Sequence, residues 1–203
     1  MVALMIQPDE HTRFAPTSDK RLPETARELF DALPEIPGFR ANVIEGNLTL
    51  SPVGTPAHGR CAMRLNRALL PLMDDRGWEA WIGNVDVCIE GPREPVEPDF
   101  VMAPSDCPLW GERELMSSGL IMVAEVVSHG SALRDRVEKP PLYAAGGVPV
   151  YLLIDPIAET PSVVVHSGIR DGVYQTIMKA PIGTPVPLPH PVDVELDTSI
   201  FKT

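Results

Sequence analysis

The residues best suited to chemistry are the acidic pair of Glu97-Pro98-Asp99, then Glu125, then Lys139. Two carboxylates on neighbouring strands can hold a hard divalent ion through oxygen, which keeps waters for a phosphate and its attacking nucleophile. A nearby ammonium would orient that water or neutralise charge building on the phosphate. Glu125 is the most telling of the set, because it interrupts the apolar run Gly119-Leu-Ile-Met-Val-Ala-Glu-Val-Val-Ser128. A strand this apolar on both sides belongs inside a sheet covered on both faces. An ionised carboxylate left there without a partner costs on the order of 2–7 kcal/mol or more. A metal, a cation or a raised pKa must compensate.

Each residue also has an ordinary structural explanation. Asp99 after Pro98 suits a turn at a strand start. Glu125 could form an internal ion pair with an arginine such as Arg60 or Arg134. Asp135 precedes Lys139 by four residues, the spacing of a solvated salt bridge on a helix, and Tyr143 on the same face reads as packing. His58 falls on the face of Ala62, Leu65 and Leu69, and reads equally as a half-buried histidine and as a catalytic one. Arg60, Arg64 and Arg67 share the opposite face; with Arg134 they are the candidate nucleic-acid contacts, against the alternative of a solvated basic face.

These residues need elements to position them. Residues 1–22 carry no periodicity and read as a flexible tail, leaving 23–203 as one domain. A short helix is expected over Glu24 to Leu33, then a hairpin turning at Glu45-Gly46-Asn47. Thr55-Pro56 starts a second helix with a hydroxyl cap and proline at the first position. Its apolar stripe is Cys61, Leu65, Ala68 and Leu72, and it closes at Gly77, with Pro71 expected to end regular helix earlier. Strands follow over Val85 to Glu90, Asp99 to Ala103 and Leu120 to Ser128, then a charged helix over Ser131 to Lys139. Val148 to Asp155 is a further strand, Ser162 to His166 and Val173 to Met178 a hairpin, and the end of the chain is extended. This order predicts an α/β (α+β) layer fold.

Composition removes several function classes. Lys and Arg number 17 against 28 Asp and Glu, giving a net charge of -11, which disfavours loose attraction to a polyanion. Cys61, Cys88 and Cys107 make no CxxC pair, so neither a disulfide framework nor a zinc knuckle is indicated. With no apolar stretch of membrane-spanning length and no secretory signal, a cytoplasmic location away from membranes is expected. Phosphate-loop, dinucleotide, zincin and nucleophile-elbow signatures are absent.

Pro98-Asp99 followed by Glu125-Val-Val resembles the active-site signature of the PD-(D/E)XK nuclease superfamily. More specifically, the chain is similar to the Uma family of restriction-endonuclease-like bacterial proteins. The matching stretches are Ile44-Glu-Gly-Asn-Leu48 with Ser51-Pro52 and His58, Glu97-Pro-Asp-Phe-Val101, Val123-Ala-Glu-Val-Val-Ser128, Asp135-xxx-Lys139-xxx-Tyr143, Gly147-Val148, Tyr151-Leu-Leu-Ile-Asp155 and Val186-Pro-Leu-Pro189. The resemblance implies a restriction-endonuclease-like core, a mixed sheet flanked by helices, with an extra N-terminal hairpin and C-terminal strands. It also implies Mg²⁺-dependent (or Mn²⁺-dependent) cleavage of nucleic acid, chiefly DNA, with Asp99 and Glu125 as metal ligands and Lys139 as the catalytic lysine.

Two departures from the family pattern stand out, and a proline pair beside Lys139 adds to the first. Val127 stands where most members carry the lysine, two residues after the acid. Asn42 stands where the Uma family has a glutamate, so Glu45 or His58 would have to substitute at the metal. Pro140 and Pro141 directly follow Lys139 and should kink or end its helix. These departures motivate a second reading, a catalytically inactive nuclease fold that serves in binding or assembly. A homodimer is expected by analogy of fold alone.

Overall fold

The computed structural model describes residues 21–52 and 54–202, so most of the expected N-terminal tail lies outside the described residues. Helix α1 (Ala26–Ala32) is closed by a capping box in which the Thr25 hydroxyl accepts from the Glu28 N–H and Glu28 returns the bond. Strands β1 (Phe39–Ile44) and β2 (Asn47–Pro52) form the expected antiparallel hairpin. Glu45 at its turn has φ 50°, a left-handed conformation that the neighbouring Gly46 shares without steric cost. Helix α2 (Pro56–Arg76) starts on the Thr55 cap and ends at Gly77, whose φ of 65° supplies the left-handed C-cap.

Two expectations for α2 need correction. The helix runs through Pro71 to Arg76 instead of stopping early. Its buried stripe is Cys61, Leu65, Leu69 and Met73, a strict i, i+4 row, while Ala68 is exposed. An i, i+4 row drifts only slowly around a helix, so it keeps contact with the sheet over about three turns.

The remaining strands are β3 (Trp78–Trp81), β4 (Asp86–Cys88), β5 (Pro95–Val96), β6 (Phe100–Pro104), β7 (Leu109–Trp110), β8 (Glu114–Met116) and β9 (Met122–Val126). A turn over Arg134–Glu138 and helix α3 (Lys139–Ala145) lead to β10 (Val150–Asp155), β11 (Ser162–Arg170) and β12 (Val173–Pro181). Two short strands, β13 (Val186–Leu188) and β14 (Val194–Leu196), pair as a hairpin. The main sheet has the order β12-β11-β10-β9-β6-β3 and is mixed: β9 and β10 are parallel, all its other pairs antiparallel. In a second sheet, β5-β4-β8-β7, only β4 falls within an expected strand, Val85 to Glu90; the other strands, two or three residues long, left no pattern in the sequence.

Both faces of the main sheet are covered, as the apolar run around Glu125 requires. Alternate residues of β9 feed opposite cores: Met122, Ala124 and Val126 face α2, and Val123 joins Tyr143 and Leu142 of α3. Glu125 therefore emerges on the α3 face, together with Val127. Truncating a core residue such as the fully buried Leu65 to Ala would cost about 2–5 kcal/mol.

Candidate active site

Glu125 is 2% exposed, and its partner is neither Arg60 nor Arg134. Its Oε1 accepts from Lys139 Nζ at 2.8 Å and from the Tyr143 hydroxyl at 3.0 Å. Its Oε2 accepts from the Asp99 N–H at 3.3 Å. Asp99, one residue before β6, answers across the strand pair: its Oδ2 accepts from the Val126 N–H at 2.8 Å. The two carboxylates are thus locked together by backbone bonds that only the β6–β9 pairing can supply.

Lys139 reaches this pair because of the prolines that follow it. Pro140 and Pro141 lack N–H groups, so the regular i→i−4 ladder cannot continue through them. The chain answers with a π-helical turn over Arg134–Glu138, in which the Lys139 N–H donates to the Arg134 carbonyl, and then begins α3 with the prolines in its first turn. The wider turn rotates Lys139 from the exposed stripe into the core, where it is 7% exposed. Its ammonium lies between Glu125 Oε1 at 2.8 Å and Asp135 Oδ1 at 3.1 Å. The ordinary surface salt bridge expected for Asp135 and Lys139 is instead a buried one, and Tyr143, expected only to pack, touches Glu125 directly. Val127 is buried apolar packing, and Lys139 reaches from α3 to the carboxylate that a lysine at that position would flank.

Three further residues complete the group. His58, half-buried at the start of α2, holds Nε2 3.6 Å from Asp99 Oδ2. Arg40 of β1 places Nη1 2.8 Å from Asp99 Oδ1 and Nε 3.1 Å from Glu97 Oε1. Asn42 accepts the Glu97 N–H on its Oδ1 at 2.8 Å, so it braces the segment that carries Asp99. Arg40 was not legible as a site residue, since it reaches Asp99 only through tertiary pairing, 59 residues away; the Asp135–Lys139 spacing was legible, but as a surface salt bridge and not as part of the site.

Other predicted residues fall elsewhere. Glu45 is exposed at the β1–β2 turn and gives its N–H to Glu94, away from the cluster. Arg64 donates to the carbonyls of Ile200 and Lys202, pinning the C-terminal segment to α2, and Arg67 lines a shallow cleft beside it. Arg60 is exposed. Arg134 does line the site, giving one N–H to the Gly130 carbonyl at 3.1 Å.

The cluster opens into a cavity of about 330 Å³ whose walls include His58, Asp99, Glu125, Ser128, Arg134 and Lys139. A larger cavity of about 630 Å³ adjoins it and shares Arg40 and Glu97, but neither Glu125 nor Lys139 lines it. Burial drives the Glu125 carboxyl above the usual range; Lys139 opposes this, and the Asp99 and Asp135 charges reinforce it. Burial alone would lower the Lys139 ammonium, yet Glu125 and Asp135 outweigh it and hold the group above its ordinary range.

The donor set suits a hard divalent cation. Four carboxylates, Glu97, Asp99, Glu125 and Asp135, face two cations, Arg40 and Lys139, leaving surplus negative charge. Asp135 Oδ1 lies 3.1 Å from the ammonium as an ion pair and accepts no hydrogen bond. Among the described residues no three His, Cys, Asp or Glu side chains converge in a cation-holding geometry; the protein's own cations lie on Asp99 Oδ1 and Glu125 Oε1. No described helix is long and apolar enough to cross a membrane.

A family model described as "Putative restriction endonuclease" (Uma2) matches residues 27–199. A solved structure described as "a putative nuclease belonging to DUF820", from Anabaena variabilis, superposes with a TM-score of 0.64 at 19% identity, covering 88% of this chain and 97% of that one. The two share the mixed-sheet, restriction-endonuclease-like fold. No curated protein matches the sequence.

Proposed function

The chain belongs to the Uma2 family, and from that premise we propose that it is a nuclease that hydrolyses phosphodiester bonds of DNA with Mg²⁺ or Mn²⁺ held by Asp99 and Glu125. The observation that carries this reading is the convergence of Asp99 from the start of β6, Glu125 from β9 and Lys139 from α3 beside a solvent-reaching cavity. The bound ion would supply an acidified water and a counter-charge for the phosphate oxygens. Lys139 has three N–H donors; one bonds Glu125 Oε1 and the ammonium also pairs as an ion with Asp135, which leaves a donor for a phosphate oxygen or the attacking water. The water oxygen would bond to phosphorus as one P–O ester bond breaks, and the leaving oxygen would take up a proton from solvent. His58, on the cavity wall, is placed to accept the proton that the water gives up. The unpaired Cys61, Cys88 and Cys107 suit a reducing compartment such as the cytoplasm.

A second reading, a silent nuclease fold serving in binding or assembly, is favoured by one observation: Arg40 already occupies Asp99 Oδ1. Incubation with plasmid, linear and single-stranded DNA and with RNA, in Mg²⁺, Mn²⁺ or chelator, separates the two. The nuclease reading expects metal-dependent cleavage that falls by about a hundredfold or more in Glu125→Gln, in line with the loss of a principal charge-stabilising group. No cleavage of any substrate, together with no heat of metal binding in calorimetry, establishes the silent module.

A further inference from the structure

We propose that Arg40 is a built-in counter-cation which a divalent metal displaces from Asp99, and that the freed guanidinium then binds the phosphodiester, coupling metal uptake to nucleic-acid binding. This rests on the nuclease reading and adds to it a residue with a switching role.

The lone pairs of Asp99 and Glu125 show which oxygens are open to a metal. Each carboxylate oxygen can accept about two hydrogen bonds. Glu125 Oε1 is filled by Lys139 and Tyr143. Asp99 Oδ2 takes the Val126 N–H and faces His58. The oxygens with room are therefore Asp99 Oδ1, bonded to Arg40 alone, and Glu125 Oε2, bonded only to the Asp99 N–H at a long 3.3 Å. A dication using both open positions meets the Arg40 guanidinium on Asp99 Oδ1, and like charges on one oxygen repel.

Of the two cations in the cluster, Arg40 is the one able to leave. Both cations touch two carboxylates, but the Arg40 side chain is 22% exposed against 8% for Lys139, and its second partner, Glu97, lines the larger adjoining cavity with it, so the guanidinium can leave Asp99 and keep Glu97. Arg40 belongs to the β1–β2 hairpin, outside the main sheet that fixes Asp99 and Glu125. It lines both the site cavity and the larger adjoining one, so a neighbouring space is open to it. Gly83 keeps its seat clear: a Cβ at that residue would fall 3.0 Å from Arg40 Nη2. The departing group is also the right shape, since a planar guanidinium pairs with phosphate through two parallel N–H bonds.

Titration of Mn²⁺ into the full chain by calorimetry, without nucleic acid, tests the displacement. Arg40→Met should bind Mn²⁺ about tenfold tighter than the unmodified protein, with Arg40→Lys, which keeps charge but loses the fork, falling between. Thermal melts of both variants confirm that they are folded. Fluorescence anisotropy with a short labelled DNA, with and without Ca²⁺, tests the transfer: Ca²⁺ should raise DNA affinity in the unmodified protein and have little effect in Arg40→Met. If the unmodified protein and Arg40→Met bind Mn²⁺ equally, or if Ca²⁺ strengthens DNA binding equally in both, the Arg40 switch is overturned and the nuclease reading stands. If neither protein takes up any Mn²⁺, the nuclease reading itself fails.

Discussion

Lys139 shows what a buried charge costs and what it secures. Its ammonium sits between Glu125 and Asp135, all three nearly inaccessible to water. Coulomb attraction at such short range is large, but the desolvation of three ions is large too, so the cluster as a whole contributes little net stability. Breaking it is another matter. Lys139→Met should destabilise the fold by about 3–5 kcal/mol, because two carboxylates are left buried without a counter-charge. Glu125→Gln combined with Lys139→Met should cost clearly less than the sum of the single changes, since the glutamine removes one stranded charge. Urea unfolding of the four proteins measures this coupling. Additive costs would show that Lys139 and Glu125 act independently, contrary to the 2.8 Å bond between them.

The elements explain which of these residues the sequence could reveal. Glu125 was legible because it breaks an apolar run within its own strand, and Asp99 because a Pro-Asp pair opens the neighbouring one. Lys139 was legible in identity but not in direction, since its inward turn depends on a π-helical turn forced by two prolines. Arg40 gave no local signal: it belongs to a separate hairpin, and only tertiary packing brings it to Asp99. Most of the second sheet was hidden for a similar reason, its short strands being stabilised by neighbours and not by pattern. That sheet carries its own titratable liability. Asp86 on β4 is pushed up to about 6 by burial, with the Glu97 and Glu114 charges adding to it and Arg113 and Arg27 opposing. A carboxyl raised on folding favours the folded state when protonated, so its stabilising contribution is full below the ordinary 3.8 and is lost as pH rises through about 6. Asp86→Asn should therefore melt at a higher temperature than the unmodified protein near neutral pH, with the gap closing as pH falls below about 4. A gap independent of pH would show that Asp86 is not the titrating group.

For the molecule as a whole, a net charge of -11 sets a limit on how nucleic acid can be held. Much of the basic complement is committed internally. Arg64 and Arg76 clasp backbone carbonyls, Arg136 pairs with Asp155 through two bonds, and Arg27 with Glu114 through two more. The Lys and Arg side chains that line the site cavity are Arg134, Lys139 and Arg40, so on the nuclease reading binding would rest on a few contacts at the scissile phosphate and not on a basic track. Each phosphate neutralised adds about -0.9 to the slope of log affinity against log salt on duplex DNA, and about -0.7 on single strands. Anisotropy across a salt series in Ca²⁺ should accordingly give a shallow slope, of magnitude about 2 to 3 for three cations. Arg134→Ala should flatten it by about one phosphate's worth, whereas Arg64→Ala should leave it unchanged and lower the melting temperature instead. A slope of about -6 or steeper would require a run of phosphate contacts that the cavity does not offer, and would move the binding surface to the exposed arginines of α2. A shallow slope has a functional corollary: with little electrostatic help from afar, affinity would have to come from the site itself, where in the proposed mechanism a divalent ion and the guanidinium it releases would act on the same phosphate.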